Sequence, residues 1–286
     1  MSDTWAAVVH PDPERQRKAR EYTRISRLLG IVDMLLGLAA LLALVLTGGG
    51  EWLRDRTDAL HWTLQAPVFA GVVAAAYGVA TAPLAYVRGF VLPTRFGTLT
   101  QSLTAWLKDR VKAAAVGAVI GLALLEILYL TLHQFGAWWW VIAAALYTVA
   151  FVVLAAVAPV LLFPLFYKVR PLADDALVER IRRLGARAGA RIQGVYTWSQ
   201  SEKGPTANAA LMGLGSTRRV VLSDTLFDRY TPDEIEVILA HELAHHVHRD
   251  ILKGVGVQAA VTFVTFGLAE VALSWAVDAL DLSGRT

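Results

Sequence analysis

The chain has 286 residues, of which 56% are hydrophobic, and its mean hydropathy is +0.48. That hydropathy is high for a soluble globular domain and indicates a protein of the bilayer. There is no cysteine, which excludes disulfides, thiol nucleophiles and thiolate metal ligands, so a bound metal would need His, Asp or Glu. The net charge is +3, and Lys and Arg cluster at the ends of apolar runs, which argues against a nucleic-acid partner.

Five apolar runs predict transmembrane helices, each long enough for a hydrocarbon core about 30 Å thick, which takes about 20 helical residues. Lys and Arg precede the first run and occupy the second loop, whereas the third loop, around Gln134 to Gly136, has neither. Because these residues favour the cytoplasmic side, we expect a cell-membrane protein with its N-terminus and residues 168–250 in the cytoplasm and its C-terminus outside. The runs are Ile25 to Thr47, Trp62 to Val87, Val111 to His133, Ala137 to Tyr167 and Ile251 to Val277.

This pattern divides the chain into three parts. Residues 1–167 form a membrane domain with four transmembrane helices, residues 168–250 a polar domain, and residues 251–286 the fifth helix and a tail. The polar part begins with a helical pattern, Ala173 to Ala190, and continues with three stretches typical of strands. The predicted fold class is mainly α, a multi-pass transmembrane helical bundle with a small inserted α+β domain. The strands are Gly194 to Ser199, Ala207 to Met212 and Arg219 to Ser223, the last two joined by a glycine-rich turn at Gly213 to Ser216.

The polar domain ends in the sequence His241-Glu-Leu-Ala-His245, on a helix with a clear start signal. Thr231 is an N-cap residue, a proline follows it, and Glu234 completes a capping box. The helix is predicted to run from there to about Asp250. At 100° per residue the two histidines lie about 40° apart on one face. Glu242 lies to one side of them, and the opposite, buried stripe is formed by Ile235, Leu239 and Leu243.

This arrangement is typical of a zinc peptidase. Two neutral imidazoles one turn apart can bind the same Zn²⁺, one per chain, at about 2.0–2.1 Å. Glu242 can take a proton from water that the zinc activates and then protonate the leaving amine. The inserted domain is therefore predicted to be zincin-like, with metal ligands His241 and His245 and catalytic Glu242. The five-residue pattern alone does not exclude the alternative that these His and Glu residues are ordinary polar positions on a half-exposed helix.

Three polar residues after His245 are weaker candidates for a role in the metal site. His246 points away from the ligand face and is expected to be solvated. His248 shares that face but stands about 10 Å further along the helix than His241, too far to complete the same metal sphere easily. Asp250 either holds an imidazole ligand in place or simply ends the helix at the membrane surface.

The stretch Ala207 to Met212 matters because a protease must hold its substrate extended. Adding the substrate as an extra strand at a sheet edge does this through backbone hydrogen bonds. Asn208 offers a side-chain amide that could bind a substrate backbone group. On sequence alone it is equally well read as a plain hairpin residue.

Four segments of the chain, in order, resemble the zinc-dependent integral-membrane CAAX prenyl proteases and their bacterial relatives. The resemblance covers nearly the whole chain. It implies zinc ligation by His241 and His245, catalysis by Glu242, and peptide binding by a strand that includes Asn208 and Ala209. The segments are RFGTLTQSLTAWLKD (Arg95 to Asp109), LLFPLFYKVRPL (Leu161 to Leu172), ANAALMGLGSTRRVVLSDTL (Ala207 to Leu226) and EVILAHELAHHVHRD (Glu236 to Asp250).

The third zinc ligand is the point at which the chain departs from that family. The family supplies a glutamate from a later helix, in a segment of the Glu-x-x-Ala-Asp kind, and the 286 residues contain no such segment. Glu270 is the sole carboxylate in the fifth apolar run, about 28 Å along a straight helix from the start of that run. We expect Glu270 to face a helix-bundle interior and the third ligand to lie beyond Thr286.

The predicted function is that of a membrane-embedded zinc metalloendopeptidase that hydrolyses peptide bonds near the cytoplasmic membrane face. Its partners would be the lipid bilayer and a peptide or protein substrate, prenylated or otherwise membrane-associated. The alternative, suggested by the missing third ligand, is a non-catalytic membrane peptide-binding module. A transporter is disfavoured because the runs lack buried charge pairs and obvious repeat symmetry.

Overall fold

The computed structural model describes residues 12–213 and 218–279. The chain divides into two compact units, Met1–Leu103 and Thr104–Thr286. The fold is mainly α with one small sheet, which confirms the predicted fold class. The finer division at residues 167 and 250 stays a prediction.

Within the described residues, five helices are long and apolar enough to cross a membrane, and each corresponds to one predicted apolar run. The first begins well before its run, at Pro13, because Asp12 caps it and accepts a hydrogen bond from the Glu14 backbone N–H at 2.9 Å. In chain order the elements are α1 (Pro13–Leu46), α2 (Gly49–Thr57), α3 (Trp62–Arg95), α4 (Leu103–Gln134), α5 (Gly136–Phe166), β1 (Val169–Pro171), α6 (Asp175–Arg187), β2 (Gly194–Trp198), β3 (Ala209–Met212), β4 (Arg219–Ser223), α7 (Asp224–Phe227), α8 (Pro232–Val247) and α9 (Asp250–Ala279).

In the first unit, α1 and α3 are joined by a polar cluster around Asp33. The Tyr77 hydroxyl donates to Asp33 Oδ1 at 3.2 Å, and Arg88 Nη1 donates to Asp33 Oδ2 at 3.3 Å. The sequence did not predict this ion pair between two spans. The ion pair lowers the cost of placing these charged groups in a bilayer, because each has a partner.

In the second unit, α5 packs along α9. The ring of Phe266 makes edge contacts with Trp139 and Tyr147, at centroid distances of 6.0 and 5.1 Å. Trp139 Nε1–H donates to Glu270 Oε2 at 2.5 Å, and Ser274 Oγ donates to Glu270 Oε1 at 3.2 Å. Glu270 therefore takes part in the contact between these two helices, consistent with the expectation that it faces a bundle interior.

The sheet has the strand order β1-β2-β4-β3. β2 and β4 are parallel at the centre, and β1 and β3 are antiparallel edge strands. The three predicted strands are all present. β1 was not predicted, because three residues that include a proline carry no period-2 pattern. The turn predicted at Gly213 to Ser216 lies mostly outside the described residues.

One face of the sheet packs against α6 and α8. Strand alternation places Ala209 and Leu211 of β3 on this face, opposite Leu222 and Val220 of β4. Ala209, Val220 and Leu222 are at most 4% exposed. The rest of this core comes from β2 and the helices: Val195, Leu177, Ile181, Leu226, Ile235 and Leu239.

The other face of the sheet lies against the exit of α5. Phe163 packs edge-on against Trp198, with 5.6 Å between ring centroids, and Trp198 is buried. Met212 stands on this face too, because it is paired with Arg219, two residues before the buried Val221. The sheet is thus a middle layer between two helical layers, with the β3 edge on one side.

Candidate metal and peptide site

The helix α8, which carries the HExxH motif, begins with the predicted capping box. The Thr231 backbone N–H and hydroxyl donate to Glu234 Oε2 at 2.8 and 2.9 Å, and the Glu234 N–H donates back to Thr231 Oγ1 at 3.4 Å. The two hydrogen bonds from Thr231 hold the pKa of the Glu234 carboxyl below its ordinary value. Arg180 of α6 fixes the same turn by donating to Asp233 at 2.6 Å and to Glu236 at 2.7 Å.

The face of α8 that points away from the motif histidines is anchored in the core, as predicted. Ile235 and Leu239 are 1% exposed and Leu243 is 2% exposed. His241 and His245 are exposed on the other side of the helix, and Glu242 is half-buried between these two environments. The buried stripe therefore fixes the rotation of α8 that presents both imidazoles outward.

The imidazole rings of His241 and His245 lie with their centroids 5.0 Å apart and their planes at 81°. One helical turn separates the two residues, so both rings project from the same face. The structure thus brings together the two sequence-predicted metal ligands. The side chain of His246 lies outside the described part of the chain.

His245 is held by Asp250, the first residue of α9. The His245 Nδ1–H donates to Asp250 Oδ2 at 2.9 Å, since an ionised carboxylate can only accept. The lone pair of a neutral imidazole is then on Nε2, which is the nitrogen left for a metal. Asp250 also accepts a hydrogen bond from Lys253 Nζ at 3.1 Å. Of the two roles considered for Asp250, the contact with an imidazole is the one observed.

The helix break before Asp250 corrects one expectation. The motif helix was predicted to run to about Asp250, but α8 ends at Val247 and Arg249 adopts a left-handed conformation with φ 56°. An arginine carries no sequence signal for that conformation, which glycine and asparagine favour. The break turns the chain so that Asp250 starts a new helix and reaches back to His245.

The donors present fit one part of a zinc site. Imidazole nitrogens are good zinc ligands, and the hydrogen bond from His245 to a carboxylate is the usual orienting contact of a zinc-bound histidine. Among the described residues, no group of three His, Asp or Glu side chains is arranged to hold a metal. Glu270 lies 20 residues into α9, about 30 Å along its axis. His248 lines a cleft with Leu184 and Arg187 of α6.

The strand β3 lies at one edge of the sheet, paired only with β4 among the described strands. The Ser223 N–H donates to the Asn208 carbonyl at 2.9 Å, so residues 208, 210 and 212 direct their backbone groups to β4, and residues 209 and 211 direct theirs outward. Asn208 Oδ1 accepts a hydrogen bond from the Ala209 N–H at 2.9 Å. The two residues predicted to bind substrate thus interact with each other at this edge.

Two buried hydroxyls that sequence reasoning missed position Asn208. Ser223 is 0% and Thr225 is 6% exposed. The Asn208 N–H donates to Ser223 Oγ at 2.8 Å, and Thr225 Oγ1 donates to the Thr206 carbonyl at 2.8 Å. The sequence feature that could have identified them is the occurrence of two hydroxyl residues at the end of an apolar strand. Polar groups buried there need hydrogen-bond partners.

The loop between β2 and β3 is tied to the rest of the second unit by charged side chains. Ser201 donates to Asp224 through its N–H at 2.8 Å and also through its hydroxyl. Burial raises the pKa of Asp224, but the hydrogen bonds from Ser201 and Thr225 outweigh that effect, so its pKa lies below the ordinary value. Lys203 Nζ donates to Asp109 of α4 at 2.7 Å.

These features define a membrane protein of the HExxH class, in which the motif helix leads directly into a further membrane-length helix. Residues 7–168 match the CAAX prenyl protease N-terminal family, described as five membrane helices, and residues 171–284 match peptidase family M48. The chain belongs to this family of membrane metalloproteases. The resemblance stated from the sequence is confirmed.

Similar proteins come from yeast and bacteria. The chain is 31% identical to CAAX prenyl protease 1 of Saccharomyces cerevisiae over 71% of its own length and 45% of that protein. It is 25% identical to the uncharacterized metalloprotease YhfN of Bacillus subtilis over 89% of its length and 60% of that protein. The crystal structure of S. mikatae Ste24p superposes with a TM-score of 0.79 at 26% identity, covering 90% of this chain and 62% of that one. The chain thus spans about half to three fifths of the length of these relatives.

Proposed function

We propose that the protein is a zinc metalloendopeptidase of the CAAX prenyl protease type. The proposal rests on one observation above all, the hydrogen bond from His245 Nδ1 to Asp250 beside an outward-facing His241. A buried stripe, a capping box and a carboxylate all act to fix the orientation of these imidazoles. A helix whose exposed histidines bind nothing does not require contacts that fix the orientation of their rings.

His241 and His245 are the proposed zinc ligands. Bound there, zinc would polarise the scissile carbonyl and lower the pKa of the attacking water to about 7. Asp250 keeps the His245 ring in the tautomer and orientation that bind a metal through Nε2. The role of Asp250 is therefore to position His245.

Glu242 is the proposed general base and general acid. As a carboxylate it takes a proton from the attacking water, and as a carboxylic acid it gives that proton to the leaving amine when the peptide C–N bond breaks. Its place directly after His241 keeps it within the same rigid turn. Its half-buried position restricts access by bulk water.

The substrate is proposed to bind as a fifth strand along β3. The outward backbone groups of Ala209 and Leu211 would pair with the peptide backbone. A peptide strand would replace Asn208 Oδ1 as the acceptor for the Ala209 N–H, which frees the Asn208 amide to bind a substrate backbone group. Asn208 and Ala209 are thus the proposed peptide-binding residues.

Residues 168–250 and the N-terminus are proposed to lie on the cytoplasmic side of the cell membrane. The support is the loop charge pattern, because Lys and Arg favour the cytoplasmic side. The yeast relative is named a CAAX prenyl protease, which favours a prenylated or otherwise membrane-associated peptide as the substrate.

Zinc content and peptidase activity, measured on the whole protein as expressed from its gene, test this proposal. The wild type should hold about one zinc per chain and hydrolyse a reporter peptide. Replacing His241 and His245 together by Ala should remove both properties. His248→Ala is the matched control on the next turn and should change neither zinc content nor hydrolysis.

A protein without zinc that binds the peptide and leaves it intact would contradict the proposal. It would favour the non-catalytic peptide-binding module instead. Loss of zinc in the His248→Ala control would contradict the ligand assignment.

A further inference from the structure

The side chains of a peptide bound along β3 would alternate between two different environments. Successive side chains of a strand point to opposite faces of the sheet. Those on the face of Ala209 and Leu211 would lie on the side of α8. Those on the face of Ala210 and Met212 would lie on the side of the α5 exit. This second side contains a cavity of about 420 Å³.

That cavity lies between β3 and the end of α5. Met212 lines it from β3, and Lys203 lines it from the β2–β3 loop. It is a cleft largely open to its surroundings, with room for one apolar side chain. The remaining lining is apolar and aromatic: Ala158, Pro159, Leu162, Phe163, Phe166 and Tyr167.

The charge of Lys203, the one cation among the described residues that line the cavity, is already compensated. Its Nζ lies 2.7 Å from Asp109 Oδ2, and both side chains are about four fifths buried, with 19% and 21% exposed. The same ammonium lies 4.4 Å from the ring centroid of Tyr167, a cation–π distance. An acidic substrate group would therefore compete with Asp109, and a basic one would be repelled by Lys203. An apolar group meets neither penalty.

We infer that this cavity is a specificity pocket for one apolar side chain of the substrate, the one that points to the Met212 face of the sheet. The inference rests on the proposed peptidase function. It identifies the substrate side chain that the enzyme recognises. Met212 and Leu162 are the residues assigned to determine how large an apolar group fits.

Substitutions that fill the cavity test the inference. The substrates are peptides that differ at one residue, with Ala, Leu, Phe, Asp or Lys scanned through each position around the scissile bond. At one position the wild type should prefer Leu and Phe by at least about tenfold in kcat/KM over Ala, Asp and Lys. Met212→Trp and Leu162→Trp should abolish that preference while the Ala peptide is still hydrolysed. Leu161→Trp is the matched control, because the neighbouring Leu161 is 62% exposed and lies outside the cavity lining.

A second measurement does not depend on hydrolysis. A peptide with a diazirine-bearing leucine analogue at the selected position, or at each position in turn, is photo-crosslinked to the Glu242→Gln variant, and the attachment site is mapped by mass spectrometry. Attachment to residues 158–167 or to Met212 supports the pocket.

The outcomes separate this inference from the proposed function. Crosslinks that fall elsewhere at every position, or an apolar preference that both tryptophan variants retain, overturn the pocket even if the wild type is an active peptidase. If the wild type hydrolyses none of the peptides, the proposed function is contradicted. The crosslinking result alone then tests whether the cavity binds a substrate side chain.

Discussion

His245 Nδ1 and Asp250 Oδ2 are 2.9 Å apart across the break between the motif helix and the next membrane helix. The contact joins a proposed metal ligand to the first residue of α9, and it forms because Arg249 takes a left-handed conformation. The membrane-length helix α9 therefore contributes directly to the orientation of the His245 imidazole, a proposed zinc ligand.

Replacing Asp250 by Ala should lower zinc affinity about 10- to 100-fold, because His245 loses the acceptor that fixes its tautomer and ring orientation. Asp250→Asn keeps an acceptor oxygen and should recover part of the affinity. Competition with a chelator of known affinity measures the effect. Lys253→Gln removes only the other partner of Asp250, and a loss of zinc affinity in that variant as large as in Asp250→Ala would count against the orienting role.

Leu239 is one of the buried residues that hold α8 against the sheet. It is 1% exposed in the core between α8 and the sheet, and Leu239→Ala should cost about 2–5 kcal/mol in the free energy of unfolding. Denaturant unfolding in detergent measures this. Val237 lies on the same helix and is 71% exposed, so Val237→Ala should change stability by less than about 0.5 kcal/mol. Equal effects of the two variants would contradict the described packing.

The Thr231–Glu234 capping box predicts a pH dependence of stability. Hydrogen bonds from Thr231 hold the folded-state pKa of Glu234 below its ordinary value of 4.5. A lowered folded-state pKa means that the stabilisation is complete above the unfolded-state pKa and is lost as the pH falls through the folded-state pKa. Unfolding measured from neutral to acidic pH should therefore show a smaller acid-induced loss of stability in Glu234→Gln than in the wild type. Identical pH profiles would show that the capping carboxylate does not stabilise the helix.

The Lys203–Asp109 pair predicts a measurable coupling between the β2–β3 loop and α4. Both side chains are about one fifth exposed, so removing either one leaves a poorly solvated charge. A double-mutant cycle with Lys203→Met and Asp109→Leu should give a coupling energy of about 1–3 kcal/mol in unfolding. The Lys168–Glu202 pair, at 67% and 54% exposure, is the control and should give less than about 1 kcal/mol. A coupling no larger than that of the control would refute a structural role for the pair.

Local patterns predicted much of this fold because their cause is local. The apolar runs marked the five spans, and the period of Ile235, Leu239 and Leu243 predicted which face of α8 is buried. The capping residues predicted where that helix begins. In each case the residues that determine the structure lie within a few turns of one another.

Contacts between distant residues could not be predicted in the same way. The Lys203–Asp109 pair joins positions 94 apart in sequence, and the turn at Arg249 has no glycine to announce it. The sequence identified His241, Glu242 and His245 as candidates through a short motif. The orientation of His245 by Asp250, and the hydroxyls that support Asn208, depend on how separate elements pack together.

Peptide turnover by the Glu242→Gln variant tests whether Glu242 is the general base of a zinc peptidase. Gln keeps the size of the side chain but cannot take a proton from water, and neither imidazole ligand is altered. Zinc content should stay at the wild-type value while turnover falls to background, and Glu179→Gln on an exposed part of α6 should retain full turnover. Turnover by Glu242→Gln equal to that of the wild type would contradict the proposed mechanism.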